Sequence, residues 1–144
     1  MSTIHLKIIT PQKVALEDEI SSLSVPTSQG EITVLPHHIN LFTLLVEGII
    51  KIKIGSNKNI NGEEKYLAIG GGYLETDGED VNVLVSRAYG QDEIDSEQTQ
   101  KAIEDAKKIL VKAADEKQRQ QAISTIRRSV IDMKLIKRRK KHSS

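Results

Sequence analysis

The stretch Ile-Lys-Ile-Lys-Ile at residues 50–54 decides the fold class of the first part of the chain. Its apolar residues take every second position, which is the spacing of a strand with one buried face. Residues 4–8 (IHLKI) repeat the pattern, and residues 81–85 (VNVLV) follow it with a second face that is also partly apolar. Shorter β-rich runs stand at residues 32–34 and 66–69. The first part of the chain is therefore predicted to be all-β.

Turn-forming residues separate these runs. They are Thr10-Pro11, Pro26 to Gly30, Gly55 to Gly62, and Asp77-Gly78. Asp-Gly between two strand-like runs predicts a hairpin with a type I′ turn, in which both central residues have positive φ. The run Gly70-Gly71-Gly72 is predicted to allow a bulge or a close backbone approach inside the sheet. Short strands at this spacing favour an antiparallel β-sandwich or a flattened barrel.

The apolar period changes after residue 90. Between Ala102 and Ala113 the apolar residues follow one stripe of a helix, and a second stripe runs from Ala122 to Met133 and on to Ile136. Helix caps are predicted from two pairs, Asp95 with Gln98 and Asp115 with Gln118. These patterns predict an αα-hairpin with helices of about 18 and 25 residues, and a chain reversal at residues 113–116.

Charge and aromatic content also divide the chain. Residues 1–90 contain 7 Lys/Arg and 11 Asp/Glu, whereas residues 91–144 contain 14 and 9, and all four aromatic residues lie in the first part. We therefore predict a β-sandwich domain at residues 1–88 and a helical hairpin with a basic tail at residues 89–144. Half of the hairpin stripes is alanine, so little apolar area is removed from water. We expect a hairpin that can leave its docking site; the alternative is a hairpin packed permanently on the sheet.

The sequence offers few groups for catalysis or metal binding. There is no cysteine, no phosphate-binding loop and no Gly-x-Ser-x-Gly elbow. The adjacent pair His37-His38 fits a turn better than a metal site, because neighbouring side chains point apart and no third ligand is spaced nearby. The apolar stretch 41–50 is interrupted by Thr43, Glu47 and Gly48, and residues 1–13 lack the apolar run of a secretory signal. We expect a soluble intracellular protein that is not an enzyme by itself.

Basic residues are concentrated at the end of the second helix. They are Arg127, Arg128, Lys134, Lys137, Arg138, Arg139, Lys140 and Lys141. Such a run can bind nucleic acid, an anionic membrane face or an acidic protein surface, or it can be a solvated helix end. No aromatic side chains are interleaved for base stacking. A β-domain with a nucleic-acid-binding tail is nevertheless the alternative function, whereas a sugar-binding sandwich lacks a convergent polar cluster.

Three blocks, in order, resemble the epsilon subunit of the F-type proton-translocating ATP synthase. They are residues 30–38 (GEITVLPHH), residues 68–75 (AIGGGYLE) followed by 80–85 (DVNVLV), and Ile94-Asp95, and the resemblance runs from residue 3 to about 138. It implies a ten-stranded antiparallel β-sandwich followed by an αα-hairpin, the α+β class. It also implies a non-catalytic rotor subunit whose partners are the gamma subunit, the c ring and the alpha/beta catalytic head.

The resemblance further implies how such a subunit works. The sandwich couples gamma and the c ring to the head, and the extended hairpin restrains ATP hydrolysis. The subunit would be peripheral, on the cytoplasmic face of the plasma membrane or, in a plastid, on the stromal face of the thylakoid.

Residue roles follow from the resemblance one position at a time. Glu31 and His38 match a loop that faces the c ring, and Thr33 stands where the family usually has Gly. The inhibitory helix would use its basic residues Arg127, Arg128, Lys134, Lys137 and Arg138. Some members bind ATP through an Ile/Leu-Asp-x-x-Arg-Ala motif, to which Ile94, Asp95, Arg127 and Arg128 could contribute. Here Gln98 and Thr99 replace Arg and Ala, and Tyr89 replaces an upstream Glu, so we expect ATP binding to be weak or absent and no other cofactor or metal.

Overall fold

The computed structural model describes residues 3–37, 40–56 and 59–142; for 55, 56, 59–62 and 139–142 it describes the backbone alone. This part of the chain contains ten strands, a short 3₁₀ segment (Gln91–Glu93) and two α-helices. The strands are β1 (Ile4–Ile9), β2 (Val14–Ile20), β3 (Ser22–Thr27), β4 (Gly30–Val34), β5 (Leu41–Leu45), β6 (Gly48–Ser56), β7 (Asn59–Ile69), β8 (Gly72–Thr76), β9 (Asp80–Val85) and β10 (Ala88–Tyr89). The helices are α1 (Ser96–Lys112) and α2 (Glu116–His142).

The strands form two five-stranded sheets. Sheet A has the order β2-β1-β9-β8-β5, and sheet B has the order β10-β7-β6-β3-β4. All pairs are antiparallel except β1 with β9, which is parallel. The core comes from the inward residues of both sheets, among them Ile4, Leu6 and Ile8 of β1 and Ile50 and Ile52 of β6, all fully buried. The predicted fold class, a β-sandwich followed by a helical hairpin, is confirmed.

The alternating stretches fall where the sequence predicts strands. Residues 50–54 lie in β6, residues 4–8 in β1, and residues 81–85 in β9. The predicted turn at Gly55 to Gly62 is largely wrong, because β6 continues to Ser56 and β7 already begins at Asn59. A long two-stranded pairing outweighs the weak strand preference of Gly and Asn there. Residues 57 and 58 lie outside the described residues.

The hairpin at Asp77-Gly78 forms, but its turn differs from the predicted type. Three residues, 77–79, connect β8 to β9, and of Asp77 and Gly78 only the glycine has positive φ, 94°. Asp77 Oδ1 accepts the backbone N–H groups of Asp80 (2.8 Å) and Glu79 (2.9 Å). These bonds lower the pKa of the Asp77 carboxyl, that from Asp80 most strongly. The stabilisation they give is present above the ordinary pKa of 3.8 and is lost as pH falls through the lowered value.

The glycine run sits where two backbones approach closely, as predicted. A Cβ on Gly72 would collide with the carbonyl oxygen of Leu84, and one on Gly70 would collide with the Ser86 side chain. A Cβ on Gly71 would meet only the Leu45 carbonyl oxygen at 3.6 Å, which is an ordinary contact. Gly72 is therefore required by space, because its neighbour is backbone, whereas the Ser86 side chain next to Gly70 can rotate away.

The chain divides into two compact units, Met1–Tyr89 and Gly90–Ser144. In the second unit, α1 has 17 residues and α2 has 27, and the chain reverses at residues 113–115 as predicted. Asp95 Oδ1 accepts the N–H of Gln98 at 3.1 Å, and Asp115 Oδ1 accepts that of Gln118 at 2.8 Å. Both predicted caps thus satisfy N–H groups that a helix start leaves unpaired.

The helical unit buries few large side chains. Its buried residues within the described part are Ile103, Ala106, Ala122, Ser129 and Leu135. A cleft of about 510 Å³ lies between the two helices, and Ala102, Ala106 and Ala122 are three of its eight lining residues. Small residues bring the helix backbones together but leave gaps at the level of the longer side chains.

We expect Gly72→Ala to lower the free energy of unfolding of the sandwich by about 2 kcal/mol or more, because β8 must move away from Leu84. Denaturant unfolding followed by circular dichroism measures this loss. Gly71→Ala is the matched control and should change the free energy of unfolding by less than about 0.5 kcal/mol. Equal effects for both variants would contradict the close approach.

Candidate functional site

A row of apolar side chains crosses the outer face of sheet A. Its members are register partners from all five strands: Val14, Ile9, Leu84, Tyr73 and Leu44. Val14 is 49% exposed and Leu44 is 70% exposed. The solvent face of an antiparallel sheet is normally polar, and a continuous exposed apolar surface marks a binding site. We call these five residues the apolar row.

Aromatic side chains enlarge the apolar row at one edge of sheet A. Phe42, on the edge strand β5, is 61% exposed, and its ring centroid lies 5.2 Å from that of Tyr73. A hollow of about 420 Å³, lined in part by Ile9, Tyr73 and Leu84, opens at the same end of the sheet. An exposed Phe next to a partly buried Tyr and a shallow hollow is a typical anchor of a protein–protein interface.

The other end of the same sheet face is charged. The His5 ring lies between two carboxylates of β2, with Nε2 2.8 Å from Glu17 and Nδ1 3.0 Å from Glu19. Since both ring nitrogens face carboxylate oxygens, the protonated ring is favoured. The hydrogen bond with Glu17, followed by that with Glu19, raises the pKa of His5 above its ordinary value of 6.5. The outer face of sheet A is therefore apolar at one end and charged at the other, so a partner can bind it in only one orientation.

The segment expected to face the c ring is only partly described. Glu31 is exposed and lies in strand β4 opposite Pro26, directly after the turn at residues 28–29, and its role toward the c ring stays a prediction. The pairing of β4 with β3 holds it in an extended backbone, and Thr33, in the same strand, bonds to the Ser24 hydroxyl at 2.9 Å. His38 lies outside the described residues. Its neighbour His37 is exposed with φ of 62°, and its N–H donates to Gly78, which fits the predicted turn role.

Glu31 lies at the same end of the sandwich as the apolar row. Its register partner Pro26 accepts a hydrogen bond from the N–H of Val46 at 3.1 Å. Val46 follows β5 directly, two residues after Leu44, and is 39% exposed. An exposed carboxylate and an exposed apolar surface are therefore close together on the sandwich.

The residues considered for nucleotide binding lie in the helical unit. The Asp95 side chain is used as the cap of α1, and Ile94 is partly buried next to it. Arg127 and Arg128 lie on exposed positions of α2 and already have interactions within the chain. The structure thus assigns Asp95 a structural role that its sequence position alone also predicts.

The basic residues of α2 form an exposed surface. Arg127, Arg128, Lys134, Lys137 and Arg138 are all exposed, whereas Leu135 among them is fully buried. For Arg139, Lys140 and Lys141 only the helical backbone is described. The basic side chains are thus accessible around a buried Leu135.

The described residues contain neither a metal-binding cluster nor a helix able to span a membrane. The described ranges contain no group of three or more His, Asp or Glu side chains able to hold a metal ion. None of the helices in these ranges combines the length and apolar content that a bilayer crossing requires.

Sequence reasoning missed the apolar row. Phe42 and Leu44 stand in the apolar stretch 41–50, whose polar interruptions argue only against a membrane span. The signal was present, because Leu41 to Leu45 is apolar on both faces of a strand, and one of those faces must then be exposed or covered by a partner. The contribution of Val14, Ile9 and Leu84 depends on register between distant strands, which a single sequence does not reveal.

A β-sandwich with an uncovered apolar row, followed by a helical hairpin with a basic helix, defines a protein that acts through contacts with other chains. The sequence profile of the ATP synthase delta/epsilon chain, β-sandwich domain, matches residues 3–91. The chain therefore belongs to the ATP synthase delta/epsilon family, and the resemblance drawn from its three sequence blocks is confirmed.

Curated relatives cover the helices as well. The ATP synthase epsilon chain of Dehalococcoides mccartyi is 32% identical over 146 aligned positions, covering 99% of this chain and 98% of its own length. The epsilon chain of Halalkalibacterium halodurans is 33% identical over 116 residues, covering 81% and 83%. A chain of the Euglena gracilis mitochondrial ATP synthase has the same fold, with a TM-score of 0.72 at 21% identity, covering 100% of this chain and 83% of that one.

We expect the pKa of His5, measured by proton NMR titration, to lie above 6.5, and to fall in Glu17→Gln and less strongly in Glu19→Gln. Because the pKa is higher in the folded chain than in the unfolded one, the stabilisation is present below pH 6.5 and is lost as pH rises through the folded-state value. Glu63→Gln, in sheet B, is the control and should leave the pKa unchanged. A wild-type value at or below 6.5 would contradict the paired geometry.

Proposed function

We propose that the protein is the central-stalk epsilon subunit of a proton-translocating ATP synthase, coupling gamma and the c ring to the catalytic head and restraining ATP hydrolysis through its C-terminal helices. The observation that supports it most is the exposed apolar row on the sandwich of a chain that belongs to this family. An uncovered apolar sheet face needs a constant protein partner.

The sandwich binds gamma through the apolar row. Full burial of a side chain such as Leu44 contributes roughly 1.5–3 kcal/mol, and its 70% exposure leaves most of that gain for a complex. The Phe42–Tyr73 pair supplies a rigid aromatic anchor beside it. Such an interface stays attached through the rotation cycle, which coupling requires.

The c ring meets the sandwich near Glu31. The side chain is exposed on an edge strand, and it lies at the end of the sandwich where the apolar row is. One end of the domain can therefore contact gamma and the c ring together. Through the c ring the subunit is held peripherally at the membrane, on the cytoplasmic face in a bacterium or the stromal face in a plastid.

The hairpin acts as a brake through charge. Residues 127–141 carry eight Lys/Arg and a single carboxylate, Asp132. Attraction between this surface and acidic segments of the head is long-range and is screened by salt, with a Debye length of about 8 Å at physiological ionic strength. Among its described side chains, the helical unit buries only Ile103 and Leu135 as large apolar residues, so its own packing is weak.

The hairpin holds no resident nucleotide. Asp95 is occupied as the cap of α1, and position 98 carries Gln, whose side chain brings no positive charge to a phosphate. The position of the hairpin would then depend on two competing interactions: its packing within the free subunit and its attraction to the catalytic head.

We expect Leu44→Ser to weaken binding of the chain to an isolated gamma subunit about tenfold, because an apolar contact is replaced by a hydroxyl. Surface plasmon resonance with immobilised gamma measures the change. Leu35→Ser is the matched control: Leu35 is 50% exposed, follows the far end of β4, and its loss should not matter. An equal loss for both variants, or none for Leu44→Ser, would exclude the apolar row as the gamma site.

We expect deletion of residues 94–144 to leave the sandwich folded, because every member of its core cluster precedes residue 89. The shortened chain should still bind gamma, while ATP hydrolysis by the reconstituted head increases. The full-length variant Arg127→Gln/Arg128→Gln/Lys134→Gln should release part of the same restraint if charge acts as proposed. Unchanged hydrolysis after the deletion would remove the brake from the proposal, and salt-sensitive binding of the basic tail to DNA in a gel shift would favour the nucleic-acid alternative.

A further inference from the structure

One side chain ties the start of the helical unit to the far part of its long helix. Gln91 Nε2, in the 3₁₀ segment, donates a hydrogen bond to the backbone carbonyl of Leu135 at 2.9 Å. Leu135 lies well inside α2, which continues to His142. Gln91 therefore contacts α2 within the helix and not at its end.

Helix lengths explain why this part of α2 is accessible to the 3₁₀ segment. α1 has 17 residues and α2 has 27, so α2 is longer by about 15 Å. The two helices are antiparallel and joined by a short turn, so the extra length of α2 lies beyond the start of α1. The 3₁₀ segment, which leads into α1, packs there against α2.

The 3₁₀ segment is acidic and the adjoining part of α2 is basic. Asp92 and Glu93 are exposed and follow Gln91 directly. Lys134 and Arg138 are four residues apart, on one side of the helix, and stand on either side of Leu135 in the sequence. Both carboxylates directly follow the residue whose side chain is bonded to Leu135, and the segment that carries them packs against α2.

We propose that the 3₁₀ segment is a built-in acidic counterpart of the basic helix, which occupies the surface of α2 around Leu135 until an acidic partner displaces it. The bond from Gln91 to Leu135 holds the 3₁₀ segment against α2, and Asp92 and Glu93 give the segment its negative charge. This inference rests on the proposed brake and adds its regulation. The acidic segments of the head must therefore bind the basic helix more strongly than Asp92 and Glu93 do.

Competition of this kind has a specific signature. Removing the internal carboxylates exposes the same cations to an external polyanion, so binding becomes tighter without any new contact. The gain is electrostatic and is therefore largest at low ionic strength. Breaking the Gln91–Leu135 bond acts in the same direction without changing the net charge.

The probe is a fluorescent polyglutamate peptide, and its affinity for the full chain is measured by fluorescence anisotropy at two salt concentrations. We expect Asp92→Asn/Glu93→Gln to bind it about threefold to tenfold more tightly than the unaltered chain at low salt, with the difference shrinking at high salt. Glu63→Gln/Glu75→Gln removes the same two charges from exposed sandwich positions and is the matched control. Gln91→Ala, which alters no charge, should also tighten binding.

Equal affinity of the 3₁₀ variant and the sandwich control would overturn the inference, since net charge alone would then explain the change. If Gln91→Ala bound the peptide with unchanged affinity, the proposed role of the Gln91–Leu135 bond would be overturned. The same variants are then tested in hydrolysis by the reconstituted head, where the 3₁₀ variant should inhibit at lower concentration. A wild-type chain that fails to inhibit contradicts the proposed brake, whereas a wild-type chain that inhibits as well as the 3₁₀ variant contradicts only the regulation.

Discussion

The register between the strands of sheet A is the constraint on which the rest of the structure depends. Inward residues such as Leu6, Val83 and Leu74 fill the core. A strand that places these residues inward must place its neighbours outward, because side chains alternate between faces. At one end of the sheet those neighbours are apolar in all five strands, and the row that results is a property of the whole sheet. A shift of one residue in any strand would exchange core and surface together.

The sequence predicts the elements of this protein better than its surfaces. Alternation at residues 4–8 and 50–54 and the helical stripes after residue 101 are local patterns, and local patterns are what one sequence contains. The Asp95 and Asp115 caps were found for the same reason. The extent of β6 and β7 was underestimated, because pairing across a long hairpin overrides the preference of single Gly and Asn residues. The turn after Asp77 was assigned to the wrong type, because a third residue is used.

Surface function depends on neighbours that are far apart in the chain. Leu84 lies beside Ile9 only because β1 and β9 pair in parallel, and no short motif announces that pairing. The role of Glu31 is predicted by resemblance alone, and its place in strand β4 follows from the pairing with Pro26. The bond from Gln91 to Leu135 joins residues 44 positions apart and has no sequence signal at all. The basic character of the second helix, in contrast, can be predicted by counting Lys and Arg residues, because a count of charges does not depend on the fold.

The parallel pair also affects how the chain is made. His5 of β1 lies opposite Asp80 of β9, 75 residues later, so one edge of β1 lacks its strand partner until nearly the whole sandwich has been synthesised. At about 5–20 residues per second this interval lasts roughly 4–15 s on the ribosome. The nascent chain must protect an apolar strand edge during that time, and slow closure of such long-range pairing is expected. Synthesis of this small protein is therefore a stage at which chaperone supply can limit its yield.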